Sequence, residues 1–174
     1  MTGTIGQGTS RTAGEIQHLH FELHLPHPVE EVWTAVATAG GLPGWLAAAD
    51  ELEPRLGGAV TLRWLNVDAE GERATYSGRI TAWDVERIAE YTFDGLHGRV
   101  RFHLETLGLG ATTLRFTNEF RGDDALRLDS LAGWHQHFEY LIHALDGQPM
   151  DAAAWANWSR DRWQQLRDAY AAAP

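Results

Sequence analysis

The stretch "LDSLAGWHQHFEYLIHALDG" (128–147) concentrates the residue types that could bind a ligand, hold a metal or transfer a proton. His135, Glu139 and His143 follow one another at a spacing of four, which aligns them on one side of a helix. The two histidines are about 12 Å apart along the axis, because each residue adds about 1.5 Å. One ion cannot bridge them, and zinc sites usually have three or four ligands. The row therefore predicts no metal site, and we expect His143 to be a solvated partner of Glu139.

The same helix carries an apolar stripe. At about 100° per residue, six side chains fall within an arc of roughly 100°, the width of a core-facing stripe; they are Leu131, Trp134, Phe138, Leu141, Ile142 and Leu145. His135 borders the stripe on one side and His137 on the other. Each could turn into a cavity, and His135 is the candidate for binding or proton transfer. The alternative is a boundary histidine with a satisfied hydrogen bond.

Composition excludes several classes of function. The 174-residue chain has no cysteine and no lysine, which excludes disulfides, thiolate metal sites, Schiff-base chemistry and a Walker-type phosphate loop. A formal net charge of −10 disfavours a nucleic-acid partner. The N-terminus lacks the pattern of a secretory signal, and there is no run of 18 apolar residues. We expect a cytoplasmic protein with no membrane span, no metal and no cofactor.

Hydrophobic periodicity predicts the elements that position these residues. Residues 16–27 alternate apolar and polar side chains as a half-buried strand, and a helix with Val32, Trp33 and Val36 on one face follows Pro28. A short helical turn is expected near Trp45. Strands, mostly separated by glycine or aspartate turns, are predicted at 59–67, 74–84, 87–94, 99–107 and 112–120, followed by a long helix at 124–146.

This order, β-α-α-β-β-β-β-β-α, predicts an α+β fold in which a curved, antiparallel, six-stranded sheet wraps around the long C-terminal helix. Residues 1–15 are predicted to be a flexible arm and 16–147 the domain. Residues 148–174 are predicted to be a helical extension packed on the domain. Its Trp155, Trp158 and Trp163 could instead cover a cavity mouth or form a homodimer contact.

A cavity between sheet and helix would be lined by inward-facing, mostly aromatic side chains. Tyr76 and Tyr91 lie on inward strand faces, where a buried hydroxyl needs a partner and could orient a ligand. The predicted ligand-binding residues are Trp45, Leu62, Trp64, Tyr76, Tyr91, Phe93, Phe102, Phe116, Trp134, His135 and Phe138.

Five segments resemble a known superfamily and occur in its order. They are "LPHPVEEVWTAVATAGGLPGWL" (25–46), "EPRLGGAVTLRW" (53–64), "GRITAWDVERIAEYTF" (78–93), "GATTLRFTNEF" (110–120) and "GWHQHFEYLIHALDG" (133–147). The chain resembles the START-like (SRPBCC, helix-grip) superfamily, and within it the bacterial branch related to the activator of the heat-shock-protein ATPase. The resemblance implies a helix-grip fold whose cavity takes lipids, polyketides or other apolar molecules.

Three functions remain open at this point. The first is non-catalytic binding of an apolar small molecule, such as a lipid, polyketide or aromatic metabolite. The second is a polyketide-cyclase-like enzyme in which His135, Tyr76 and Tyr91 supply proton transfer in a dry pocket. The third is a chaperone-related or other protein-interaction module. The eukaryotic activator has an additional N-terminal domain to which the resemblance does not extend.

Overall fold

The computed structural model describes residues 2–67 and 70–173. Within them, nine strands form one antiparallel sheet in the order β1-β3-β9-β8-β7-β6-β5-β4, with β2 also paired to β3. The strands are β1 Thr4–Ile5, β2 Thr9–Ala13, β3 Ile16–Leu25, β4 Ala47–Leu52, β5 Ala59–Trp64, β6 Thr75–Asp84, β7 Ile88–Phe93, β8 Arg99–Leu107 and β9 Ala111–Arg121. The helices are α1 Val29–Ala37, α2 Asp124–Leu145, α3 Ala152–Ala156 and α4 Arg160–Ala172, with a 3-10 turn at Leu42–Gly44.

The predicted α+β helix-grip architecture is confirmed: the sheet curves around α2. Local chemistry sets the ends of this helix. The side chain of Asp123 accepts a hydrogen bond from the Leu126 N–H at 2.9 Å, which satisfies one free donor of the first turn. Gly147 follows the helix with a φ of 91°, a left-handed conformation that glycine adopts without strain. No helix in the described parts of the chain has the length and apolar character needed to cross a membrane.

Side chains that alternate along the strands meet the apolar stripe of α2 in one core. Phe102 on β8 pairs directly with Phe116 on β9. The ring centroid of Phe138 on α2 lies 5.0 Å from that of Phe116, and Trp45 stacks on Phe138 at 6.0 Å. The hydroxyl of Tyr91 donates to the Val36 carbonyl of α1 at 2.9 Å, so α1 closes this part of the interface.

The sheet has three strands more than the six predicted. Residues 1–15 were expected to be a flexible arm, but β1 and β2 pair with β3, and Gly14 (φ 63°) and Glu15 make the turn between β2 and β3. The segment "TSRTA" carries no apolar alternation and is fully exposed, so backbone hydrogen bonds to the edge of β3 hold it. β4 was missed for a related reason, because its alanine-rich sequence "AAADEL" does not favour a strand.

Ion pairs attach the C-terminal helix α4 to α2. Arg162 of α4 binds Glu139 of α2 through two nitrogens at 3.0 and 2.6 Å. Arg167 binds Asp129 at 2.5 Å. The partner of Glu139 is therefore Arg162 rather than the predicted His143, whose side chain is exposed.

Candidate functional site

A cavity of about 310 Å³ lies between the sheet and α2, near the loops that connect β5 to β6 and β7 to β8. This volume is at the lower end of the roughly 300–1,000 Å³ typical of small-molecule pockets. Six ring-bearing side chains line it: Trp64 from β5, His97 from the β7–β8 loop, Trp134 and His137 from α2, and Trp158 and Trp163 from the C-terminal extension.

Stacked rings form the sheet side of the cavity. The rings of Trp64 and His97 are 4.7 Å apart and inclined by only 18°. Tyr76 stands nearly perpendicular to both, with ring distances of 5.8 Å to Trp64 and 4.4 Å to His97. Stacked and edge-to-face geometries are the ones that aromatic quadrupoles favour. The wall is therefore a packed aromatic surface with a defined orientation.

The buried amide of Asn118 on β9 holds the β7–β8 loop and α2 together. Its nitrogen donates to the carbonyls of His97 at 2.8 Å and Arg99 at 3.0 Å. Its oxygen accepts a hydrogen bond from the indole nitrogen of Trp134 at 3.0 Å. Gly98 allows the loop to lie this close to β9, because a Cβ there would be 2.2 Å from the Glu119 carbonyl. One side chain thus positions two walls of the cavity.

Both cavity histidines are uncharged at neutral pH. Burial lowers the pKa of His137 to about 4, despite a hydrogen bond to Trp45 that acts in the opposite direction. Burial, and secondarily repulsion by His137, lowers the pKa of His97 to about 4. Nδ1 of His137 lies 2.9 Å from the Trp45 carbonyl, which can only accept, so Nδ1 carries the proton. Nε2 of the neutral His137 ring is then a hydrogen-bond acceptor.

One buried acceptor in the cavity wall has no partner. The side-chain oxygen of Asn66, which follows β5, is shielded from solvent and has no hydrogen-bond partner within residues 2–67 and 70–173. An unpaired buried polar group destabilises a protein by about 1–3 kcal/mol.

The C-terminal extension contributes part of the cavity wall. The guanidinium of Arg160 lies 5.1 Å from the centre of the Trp158 ring, and its terminal nitrogen is 3.5 Å from the Val67 carbonyl. Gln136 of α2 donates to the Ser159 carbonyl at 2.7 Å. Trp155 is instead buried against the domain and donates to the Pro43 carbonyl at 2.9 Å. The tail tryptophans thus divide between cavity wall and core.

The predicted ligand-binding residues divide in the same way. Trp64 and Trp134 line the cavity, and Tyr76 contacts the ring pair on its sheet side. Seven others lie in the closed core, none more than 4% exposed, and do not line the cavity: Trp45, Leu62, Tyr91, Phe93, Phe102, Phe116 and Phe138. Alternation identifies the inward face of a strand, but it does not indicate where along the strand a helix packs and where it leaves a gap.

His135 also lies outside the cavity. Its Nδ1 is hydrogen-bonded to the hydroxyl of Tyr170 at 2.7 Å, and this hydroxyl also accepts a hydrogen bond from the Gly8 N–H. Burial is the main cause that lowers the pKa of His135. The residue borders a separate, more open depression beside Ile5 and Arg162. This is the satisfied boundary histidine that the sequence offered as the alternative.

The proton-transfer group of the cyclase hypothesis is therefore not assembled. His135 contacts Tyr170, Tyr91 is buried with its hydroxyl bound to Val36, and Tyr76 lies beside the cavity. Burial raises the pKa of Tyr91 above its ordinary value, which disfavours its ionisation further. Within the described residues, no three side chains of histidine, cysteine, aspartate or glutamate are grouped to hold a metal ion.

Sequence reasoning missed Asn66 and His97 and ranked His137 below His135. Asn66 and His97 lie in loops, where neither helical nor strand periodicity applies. The signal for His137 was present, because it borders the stripe of α2 on the side opposite His135. Which border faces the cavity depends on the tilt of α2 across the sheet, and a helical wheel does not contain that information.

Comparison with known proteins extends the structural result. The chain matches no curated protein. CalU16 from Micromonospora echinospora, solved by NMR, is 18% identical, with a TM-score of 0.71 over 95% of this chain and 91% of that one. A Bordetella parapertussis protein is 25% identical, with a TM-score of 0.66 over 95% and 90%. A conserved Enterococcus faecalis protein of unknown function is 17% identical, with a TM-score of 0.68 over 95% and 88%.

The family described as Activator of Hsp90 ATPase homolog 1-like protein matches residues 26–146, well over half of the chain. The match begins just after β3 and includes β4 to β9 together with α1 and α2. The START-like resemblance is thereby confirmed, and the chain belongs to the Activator of Hsp90 ATPase homolog 1-like family.

Proposed function

We propose that this protein binds an apolar small molecule in the cavity between the sheet and α2. The observation that carries the proposal is the lining, in which six ring-bearing side chains surround about 310 Å³. Small-molecule sites are usually concave, mostly apolar and provided with a few placed polar groups. An apolar ligand that enters such a space leaves water over most of its surface, which is the driving force for binding.

The charge distribution supports an uncharged ligand. His97 and His137 have pKa values lowered to about 4 and present neutral rings at pH 7. Asp129, the acid of α2 that borders the cavity, is bound by Arg167. Arg160 also lines the cavity, with its guanidinium 5.1 Å from the centre of the Trp158 ring. Among the two histidines and Asp129, a charged ligand would lose its hydration without gaining a free partner of opposite charge.

The rigidity of the walls also supports binding. Asn118 ties the His97 loop to Trp134, and Gln136 ties α2 to the start of α4. A pocket that exists before the ligand arrives requires little ordering of side chains on binding. Catalysis by the cyclase arrangement is not proposed, because His135, Tyr76 and Tyr91 do not meet around this cavity.

Gly133 on α2 provides a direct test. It lines the cavity, and a Cβ on it would meet only the Trp163 indole nitrogen, at 3.9 Å. Gly133→Leu should fill the cavity without losing the helix, because leucine favours helix more than glycine does. Gly133→Ala is the matched control, since one methyl group fits at ordinary contact distance.

The measurement is thermal unfolding of the three proteins with a library of lipids, flavonoid-like compounds and small aromatic molecules. Ligands that bind the folded state raise the melting temperature. We expect hits for wild type and Gly133→Ala and no response for Gly133→Leu. The absence of any hit for wild type, or equal shifts in Gly133→Leu, would contradict the proposal.

A further inference from the structure

We propose that the ligand of this cavity carries a hydrogen-bond donor, a hydroxyl or an uncharged N–H group, and that Nε2 of His137 accepts the bond. This inference rests on the proposed function and names the chemical class of its ligand. Ligand length is not limited, since the cavity is partly open toward solvent. Three observations support the assignment: the fixed tautomer of His137, the access to its Nε2, and the roles of the other polar groups in the wall.

The Trp45 carbonyl fixes the proton of His137 on one ring nitrogen. Nδ1 lies 2.9 Å from this carbonyl oxygen, which can only accept, so Nδ1 carries the proton. Trp45 is itself held in place, because it is fully buried and its indole nitrogen donates to the Ala35 carbonyl at 2.8 Å. Burial keeps the His137 ring neutral at pH 7, with a pKa lowered to about 4. Nε2 is therefore an acceptor that cannot become a donor without loss of the bond to Trp45.

Nε2 of His137 is accessible from the cavity. Within residues 2–67 and 70–173, only the Asn66 oxygen is a side-chain polar atom that is both shielded from solvent and without a hydrogen-bond partner. In the same ranges, the hydrogen bond of the His137 ring is made by Nδ1, so the unpartnered Nε2 is not shielded. The His137 side chain is only 6% exposed and borders this cavity. The accessible side of Nε2 therefore faces the cavity, whereas the Asn66 oxygen is closed to a ligand.

The position of His137 makes a hydrogen bond to Nε2 selective. Aromatic rings surround the imidazole, with centroid distances of 5.8 Å to Tyr140, 5.9 Å to Trp155 and 6.5 Å to Trp64. Water competes less for an acceptor in such a site than for one at the surface, and a hydrogen bond is electrostatically stronger there. A ligand that displaces water from Nε2 without offering a donor leaves the acceptor unpaired, which weakens its binding.

Ser130 and His97, which also line the cavity, discriminate less between ligands. Ser130 is half-buried, and its hydroxyl can donate to an ether as well as accept from an alcohol. The neutral ring of His97 has one donor and one acceptor nitrogen, and within the described residues no hydrogen bond fixes which is which. Both side chains therefore adapt to the ligand, whereas His137 binds only a donor.

The remaining acceptors of the wall are exposed, already paired or shared with another surface. Glu72 is exposed to water, and Asp129 is bound by an arginine of α4. The nitrogen of Gln136 donates to a backbone carbonyl of the C-terminal extension, which leaves its oxygen as an acceptor, but Gln136 also lines a second, more open depression. His137 combines burial, a fixed acceptor role and a position in this cavity, so the bond is assigned to it.

The probes are 2-naphthol, 2-methoxynaphthalene and naphthalene, which share one ring system. Only 2-naphthol can donate a hydrogen bond. A cavity without an accessible acceptor should bind naphthalene at least as well as 2-naphthol, because the hydroxyl loses its hydration on burial. By isothermal titration calorimetry at pH 7, we expect wild type to bind 2-naphthol about fivefold more tightly than either of the other two compounds.

His137→Asn tests the assignment to Nε2. The amide nitrogen of asparagine can take the place of Nδ1 and donate to the Trp45 carbonyl, but asparagine has no atom at the position of Nε2. We expect this variant to lose the preference for 2-naphthol, and the ratio between compounds removes any change in cavity size that is common to all three. Ser130→Ala is the matched control: it removes another polar group from the same face of α2 and should keep the preference.

Nitrogen NMR of the histidine side chains keeps the assignment testable if His137→Asn does not fold. In wild type, His137 is a histidine that stays neutral at pH 5 with its proton on Nδ1. The Nε2 resonance of such a ring should move toward the position of a protonated nitrogen when 2-naphthol binds, because it accepts a hydrogen bond. Naphthalene should move it clearly less.

Equal affinities in wild type, a preference retained in His137→Asn, or an Nε2 resonance that responds equally to 2-naphthol and naphthalene would overturn this inference. The proposed function stands in these cases if Gly133→Leu abolishes the binding of naphthalene. Absence of binding to wild type for all three compounds, or binding that Gly133→Leu does not change, would overturn both.

Discussion

The interface between the sheet and α2 has two regions built from the same kind of residue. In the closed region, Trp45, Phe102, Phe116 and Phe138 pack at ring distances of 5.0–6.0 Å and are fully buried. In the open region, aromatic rings surround a cavity of about 310 Å³. The difference lies in what covers each region rather than in the rings themselves.

Neighbouring elements explain the difference. The 3-10 turn inserts Trp45 into the closed region, and its indole nitrogen donates to the Ala35 carbonyl of α1 at 2.8 Å. The open region has no such insertion, and the C-terminal extension only contributes Trp158, Arg160 and Trp163 to its wall. Aromatic residues on the inward face of a curved sheet therefore make either core or cavity, according to whether another element fills the space.

Truncation of a ring should distinguish the two regions most strongly. Phe138→Ala should lower the free energy of unfolding by about 3–5 kcal/mol, because it removes a fully buried ring and leaves a hole in the closed region. Trp163→Ala, in the half-buried cavity wall, should have a clearly smaller effect. Urea unfolding measures both, and equal losses would mean that the two regions are packed alike.

Loss of the Asn118 amide should be the next largest effect. Asn118→Leu leaves the carbonyls of His97 and Arg99 and the Trp134 indole without their partner. Unpaired buried groups cost about 1–3 kcal/mol each, so we expect a loss of about 3 kcal/mol. Trp134→Phe removes a single N–H and should lower stability by about 1 kcal/mol. A loss below that of Trp134→Phe would contradict the linking role of Asn118.

The neutral histidines predict a dependence on pH. The pKa of His137 is about 4 in the folded protein and about 6.5 when unfolded, so the unfolded chain binds more protons as the pH falls from 6.5 toward 4. Stability is therefore retained above pH 6.5 and decreases below it, by about 2 kcal/mol at pH 5 for this residue.

His137→Gln should flatten this dependence, and the carboxylates common to both proteins cancel in the comparison. Unfolding free energies measured from pH 7 to pH 5 should fall less in the variant than in wild type. Parallel profiles would mean that His137 is not held neutral by burial.

The cavity-wall residue Arg160 should have the smallest effect on stability. Its side chain is exposed, and exposed cation–π contacts contribute about 0.5–1 kcal/mol. Arg160→Ala should therefore lower the free energy of unfolding by no more than about 1 kcal/mol. Urea unfolding checks this value. A loss as large as that for Asn118→Leu would mean that this part of the wall belongs to the core.

The sequence predicted most of the fold because hydrophobic alternation and helical periodicity are local. The strand at 99–107 and the long helix at 124–146 have nearly the predicted bounds in the structure. β2 and β4 were not predictable in this way, because backbone pairing at a sheet edge does not require an apolar side chain. β2 pairs with β3, and β4 pairs with β5. To predict these two strands, one would need to know which edges of β3 and β5 are free for pairing.

The candidate site was predicted only in part. Trp64 and Trp134 were identified because they lie on inward faces of regular elements. Tyr91 has the same sequence pattern but lies under α1, whose position depends on tertiary packing. Asn66 and His97 belong to loops, and Asn66 becomes notable only when its oxygen is seen to lack a partner. Local periodicity predicts which face is inward, and packing decides which inward residues remain accessible.

Native mass spectrometry of the protein purified from its own host tests the central claim most directly, with Gly133→Leu prepared in the same way. We predict that wild type carries one small molecule that is lost on denaturation, and that Gly133→Leu has the mass of its chain alone. The account would be contradicted if wild type also has the mass of its chain alone, or if both proteins carry the same additional mass.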